Sequence, residues 1–177
     1  MPSDQSGNNK KNLHTIAVLV ENKFGVLAKV ASLFSARGYN IDSLCVGVTQ
    51  DPSVSRITLI TRGDEKILEQ IRKQLSKLID TIKVMDLMEG ESIDRELVLI
   101  KITAPTSKRA ELLQIAEIFR ARIVDISTDN MIIEVTGDQG KLRAILDLLH
   151  PYGVKEIART GTVALTRGPK TLKSSKN

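Results

Sequence analysis

The chain predicts an α+β protein of two βαββαβ domains, each an antiparallel sheet with helices packed on one face. Three observations predict it. The apolar period switches between about two and about 3.6 residues along the chain. The order strand–helix–strand–strand–helix–strand is read twice, and the polar stretch MEGESIDRE at 88–96 separates the two passes. The expected boundaries are a tail at 1–12, a first domain at 13–88, a linker at 89–96, a second domain at 97–167 and a basic tail at 168–177.

The elements follow in order. Residues 13–20 are aliphatic and β-branched, as a buried strand requires. Over 25–37, Val26, Leu27, Val30, Leu33 and Phe34 fall on one helical stripe, and Gly38 stands where a left-handed cap ends a helix. Residues 39–49 and 54–61 predict two strands around the turn Gln50-Asp51-Pro52-Ser53. Asp64 is a suitable N-cap for a helix reaching Leu78 and buried through Ile67, Ile71, Leu75 and Leu78. A strand at 82–87 closes the first half.

The second half opens with a strand at 97–103. A helix over 107–120, buried through Leu112, Leu113, Ala116 and Phe119, comes next. Strands at 123–127 and 131–136 precede a helix over 138–150 on Leu142, Ile145, Leu146 and Leu149, stopped by Pro151. One or two short strands at 154–166 finish it. Local echoes support the repeat: Leu33-Phe34-Ser35-Ala36-Arg37 against Ile118-Phe119-Arg120-Ala121-Arg122, and Gly63-Asp64 against Gly137-Asp138. A split βαβ unit in each half makes both domains ferredoxin-like.

Composition excludes several functions. The formal charge of +5 resides in the ends: Lys10 and Lys11 against Asp4, and Arg167, Lys170, Lys173 and Lys176. The body between them is neutral, which argues against a nucleic-acid surface. No run approaches the roughly 18 apolar residues of a membrane span, and the first twelve residues lack a secretory core, so a cytoplasmic protein is expected. Cys45 is the single cysteine, so an internal disulfide and a Cys-rich metal site are both impossible.

Catalytic chemistry has few candidates. His14 and His150 lie far apart in sequence and form no triad with a nucleophile. Carboxylates gather at a helix start and in the linker, where they cap and solvate. No Gly-rich phosphate loop follows a strand. Ile57, Leu59, Ile132 and Val135 take the mid-strand positions where an RNA-binding sheet needs aromatics. Cys45 reads as a small core hydrophobe.

One segment has the composition of a ligand site: Val20-Glu21-Asn22-Lys23-Phe24-Gly25-Val26-Leu27. Gly25 falls at a helix start, where free N–H groups and the positive end of the dipole favour an anion such as a carboxylate. Asn22 offers an amide, and Val26 and Leu27 an aliphatic wall. An ordinary strand-to-helix turn, with Asn and Gly chosen for backbone geometry, explains the spacing equally well. Asn40, just past the helix, suits either a cap or a contact with an ammonium across a subunit interface.

These residues carry a resemblance. The run from His14 to Asp42, with Glu21-Asn22, Gly25-Val26-Leu27 and Leu33-Phe34-Ser35-Ala36-Arg37-Gly38-Tyr39-Asn40-Ile41, resembles the N-terminal ACT domain of acetolactate synthase small subunits. Asp51-Pro52, Ser55-Arg56-Ile57-Thr58, Gly63-Asp64-Glu65, Arg95-Glu96-Leu97 and Leu165-Thr166-Arg167-Gly168 continue the likeness over nearly all of the folded part. It implies a non-catalytic regulatory subunit in branched-chain amino acid biosynthesis. Such a subunit forms a homodimer through its ACT domains, and valine, or leucine or isoleucine, binds between them. Carried over by motif, Asn22, Gly25, Val26 and Leu27 form one wall, and Asn40 and Ile41 of the partner copy the other. Thiamine diphosphate, FAD and magnesium belong to the large catalytic subunit. The second domain has Ala104-Pro105-Thr106-Ser107 at its first turn, which suits protein contact better than an amino acid. A free-standing ACT regulator of another enzyme or of a transcription factor is the alternative.

Overall fold

The computed structural model describes residues 13–87 and 92–172. They divide into two compact units, one holding the chain up to Ile93 together with the stretch from Thr162 onward, the other Asp94–Gly161. In the first unit β1 (Leu13–Glu21), α1 (Val26–Ala36), β2 (Ile41–Val48), β3 (Val54–Arg62), α2 (Glu65–Lys77) and β4 (Thr81–Asp86) follow the expected order. Its sheet runs β2-β3-β1-β4 with every neighbouring pair antiparallel. This is the split βαβ arrangement, in which β3 inserts between the parallel strands β1 and β2.

Alternation along β1 makes the layers. Ile16, Val18 and Val20 face the helices and share a core with Val26, Val30 and Phe34 of α1 and Leu68, Ile71 and Leu75 of α2. Each such side chain, fully buried, contributes about 1.5–3 kcal/mol. Ala17 and Leu19 point to the opposite face, yet both are buried. There Ala17 packs with Leu87, Ala164 and Leu172, because the chain beyond Gly161 lies along that face.

The second unit repeats the order. It contains β5 (Ser92–Thr103), α3 (Arg109–Ile118), β6 (Arg122–Ile126), β7 (Asn130–Gly137), α4 (Gln139–Leu149) and β8 (Val154–Arg159), with strands ordered β6-β7-β5-β8. Its core joins Val98, Ile100 and Ile102 to Leu112, Leu142, Ile145 and Leu149. The short β9 (Val163–Thr166) belongs to the first unit. Among the described residues no helix is long and apolar enough to cross a membrane.

The echoes in the sequence have physical causes. Asp64 accepts from the Ile67 N–H and Asp138 from the Lys141 N–H, both at 2.8 Å, so both second helices start on the same cap. Both preceding glycines lie close under a side chain of the following helix. A Cβ would lie 2.7 Å from Ile67 Cγ2 at Gly63 and 2.6 Å from Lys141 Cδ at Gly137. Helix α1 ends as expected at Gly38, with φ +67°. The Tyr39 and Gly38 N–H groups bond to the Phe34 and Ser35 carbonyls, and the Phe34 and Tyr39 rings meet edge to face. Helix α3 closes with the same bonds, from Ala121 to Ala116 and from Arg120 to Glu117, but puts Arg120 at φ +50° where α1 has glycine. The structural counterpart of Phe34 is therefore Ala116, and the Phe34/Phe119 echo is three residues out of register.

Several expectations are corrected. Part of the linker at 89–96 is strand: β5 begins at Ser92, and residues 89–91 lie outside the described set. Polar composition conceals this because Glu96, although buried, is satisfied by a bidentate pair with Arg159 at 2.6 and 2.9 Å. The compact unit Asp94–Gly161 covers most of the second domain expected at 97–167, and Thr162–Leu172 groups with the first unit. The helix expected at 107–120 starts as a 3-10 turn, Thr106–Lys108, before α3 proper. Leu113, expected in its core, is exposed, while Leu112 is fully buried. In α2 Leu68 is buried along with Ile71 and Leu75, and the expected Ile67 and Leu78 pack only at the margin of the core. Cys45 is only half-buried because β2 is an edge strand.

Candidate effector-binding site

Three turns meet at one end of the first unit. The turn between β1 and α1 is tied to the β2–β3 turn by two bonds: Asn22 N–H to the Ser53 carbonyl at 2.7 Å, and the Asn22 side-chain amide to the Pro52 carbonyl at 2.9 Å. The Glu21 N–H reaches the Asp80 carbonyl of the α2–β4 turn at 2.9 Å. Asp51 organises its own turn, accepting from the Ser53 N–H and hydroxyl. Those bonds hold its carboxyl below the usual carboxylate range.

Gly25 caps α1 with φ +81° and ψ −6°, and a Cβ placed there would meet nothing within 4 Å. The glycine is thus required by its left-handed backbone, and the space beside it is open. Helix α2 is capped by Asp64, but α1 has no side-chain cap and no acidic residue in its first turn. The Val26 N–H turns back to the Lys23 carbonyl at 3.4 Å, and the start of the helix keeps the positive end of its dipole. Lys23 is paired with Glu21 at 2.6 Å, which raises its pKa, mainly through the hydrogen bond. Lys29, one turn into the helix, pairs with the buried Asp80. Val26 is buried and Leu27 is 43 % exposed, so of the expected aliphatic wall only Leu27 offers much surface.

Asn40 and Ile41 lie elsewhere. The Asn40 side-chain amide donates to Asp42 at 2.8 Å and the Asn40 main-chain carbonyl accepts from the Thr61 hydroxyl, so it does not cap α1. Ile41 packs against the core from the first position of β2. The register sets the separation. Glu21 is paired with Val54 and Ile41 with Thr61, seven residues further along β3. At about 3.3 Å per residue the two groups stand roughly 23 Å apart in one chain. One copy therefore brings Asn22, Gly25, Val26 and Leu27 together but leaves Asn40 and Ile41 at the far end.

Nothing in the local pattern marks β2 as an edge. No strand of the first sheet pairs with its outer side, and Val46 and Val48, on the helix side, are 42 % and 64 % exposed. An apolar edge without Lys or Pro is a template for another strand. Phe24, beside Gly25, is fully exposed. In the second unit Arg109 replaces Asn22 in tying the first turn to the strand–strand turn. Its guanidinium donates to the Ala104, Ser127 and Thr128 carbonyls and crowds the turn. His14 Nε2 bonds to the Gly63 carbonyl, and His150 follows α4 at the surface, so the two stand in different units. Among the described residues no group of His, Cys, Asp or Glu could hold a metal.

Tandem ferredoxin-like units, the first with an uncapped glycine start and an open edge strand, define a protein of the ACT type. Residues 16–83 match the family model for the small subunit-like ACT domain of acetohydroxyacid synthase, and residues 95–168 that for the small subunit of acetolactate synthase. A probable acetolactate synthase small subunit of Archaeoglobus fulgidus is 58% identical over 89% of this chain and 98% of its own length. The acetolactate synthase small subunit of Mycolicibacterium smegmatis is 48% identical, over 92% and 96%. The crystal structure of the Thermotoga maritima small subunit superposes with a TM-score of 0.81 at 43% identity, covering 89% of this chain and 99% of that one. The chain belongs to the acetolactate synthase small-subunit family.

Proposed function

We propose that this chain is a non-catalytic regulatory subunit that binds a branched-chain amino acid, valine foremost, at a seam between two copies. It activates a large catalytic subunit, and the bound amino acid weakens that activation. Family membership supports the partner. Thiamine diphosphate, FAD and magnesium are assigned to the large subunit, and the homodimer forms through β2 of the first unit.

The observation that carries the seam is the separation of Asn22–Leu27 from Asn40–Ile41 by the length of a strand. An antiparallel pair of β2 edges reverses one copy against the other. The start of one β2 then meets the end of its partner, at the level of the α1 N-terminus. The effector's carboxylate takes the N–H groups of the first turn of α1, its ammonium the oxygen of the partner's Asn side chain, and its aliphatic group the Leu27 surface. Feedback requires the amino acid to favour the less activating arrangement, with a coupling of about 1–3 kcal/mol.

The test mixes the purified chain with the catalytic subunit and follows acetolactate formation with and without valine. Activation by the chain, reversed by valine, is expected. A catalytic subunit indifferent to the chain defeats the reading.

A further inference from the structure

The stretch Thr162–Leu172 crosses the face of the first sheet opposite the helices, and its contacts with that sheet are few and placed in strand order. Thr162 donates its N–H to the Ser43 hydroxyl of β2 at 3.1 Å. Arg56 of β3 donates from Nη2 to the Ala164 carbonyl at 2.6 Å. The Ala164 methyl and Leu172 then rest on Ala17 of β1 and Leu87 after β4. β9 is not one of the strands of the first sheet. Left-handed glycines flank the strand, Gly161 at φ +79° and Gly168 at φ +72°.

The side chains are distributed unusually for an element meant only to be buried. Thr162 and Ala164 face the sheet at 3 % exposure, while the bulkier Val163 and Leu165 face outward at 50 % and 63 %. The Arg56 guanidinium is partly desolvated, which lowers its pKa, and its hydrogen bond goes to a neutral carbonyl. Toward the sheet the strap turns Thr162, Ala164 and Leu172, so lifting it exposes less apolar area than opening the sheet beneath. The bond from Thr162 lands on β2, two residues after Ile41 and beside the irregular register between Ile41 and Ser43.

We propose that Thr162–Leu172 is a releasable clamp on the seam strand β2, with Ser43 and Arg56 as its positioning residues. Docked, it fixes the edge along which a second copy pairs; released, it loosens that edge. That β2 is the seam rests on the function proposed above, whereas the hydrogen-exchange arm of the test does not.

Hydrogen exchange on the ligand-free, full-length chain reads the clamp directly. In the wild type, Val163–Thr166 amides should exchange at least about tenfold faster than those of β3. Ser43→Ala and Arg56→Ala should each speed exchange of β2 amides about threefold to tenfold and leave β1 within about twofold. Ser43→Thr, which keeps the acceptor, should restore the wild-type rate. Unchanged β2 exchange in both alanine variants, equal acceleration in β1, or a strap as protected as β3 overturns the proposal. Calorimetry with valine adds the second arm, with Ser43→Ala expected to raise the Kd about threefold. A loosened β2 with unaltered valine affinity, or a wild type that binds no valine, supports the clamp and instead removes the effector from the seam.

Discussion

The Asn22 side chain donates to the Pro52 carbonyl at 2.9 Å and so joins the turn that opens α1 to the turn between β2 and β3. The bond engages the amide's donor and leaves its oxygen toward solvent. Asn22→Ala should cost about 0.5–1.5 kcal/mol of stability, and valine affinity should fall through disorder of the turn. Calorimetry checks both; unaltered affinity takes Asn22 out of the site.

Backbone sign sets a second pair of outcomes. Gly25→Ala forces a Cβ into φ +81° without any clash, so its cost is purely conformational, about 1–2 kcal/mol. Arg120 already stands at φ +50° in the equivalent cap of α3, and Arg120→Gly should recover up to about 1 kcal/mol. Urea denaturation of the two variants should move in opposite directions.

The Asp51 carboxyl has a lowered pKa because Ser53 donates to it, so the turn gains stability above the unfolded-state pKa and loses it as pH falls through the folded one. NMR titration should place Asp51 below ordinary aspartates and show it rising in Ser53→Ala. An unmoved Asp51 in that variant refutes the Ser53 hydroxyl as the cause.

Adjacent leucines give a test of the α3 face. Leu112→Ala empties a fully buried position and should cost about 2–5 kcal/mol. Leu113→Ala, at a 47 % exposed position, should stay within about 0.5 kcal/mol. Equal losses would restore the stripe expected from sequence.

The two aspartate caps should behave alike. Asp64→Ala and Asp138→Ala each free one N–H at a helix start and should cost about 1 kcal/mol, with Ser recovering most of it. Thermal melts decide whether the repeated Gly-Asp pair has the same effect in both units.

Legibility follows the range of the interaction. Gly38, Asp64 and Asp138 are readable from sequence because a cap is made within five residues, and the βαββαβ order because side-chain period reports which faces are buried. The candidate turn at Asn22–Leu27 is also visible, since helix starts have a local signature. Its meaning is not: room for a ligand is one reason for Gly25, and the left-handed φ supplies a sufficient backbone reason beside it. Glu96 hides the start of β5 because its partner Arg159 is 63 residues away.

By itself the sequence determined the two domains, their element order, the helix caps and the family likeness, all of which depend on neighbours along the chain. Only the tertiary structure decided that β2 is an edge, that Asn40 lies a strand's length from Gly25, and that Thr162–Leu172 covers the first sheet. Those facts depend on strand order and on contacts more than a hundred residues apart, such as Arg56 with Ala164. Side-chain periodicity carries no record of either, because it reports that a face is buried and not which segment buries it.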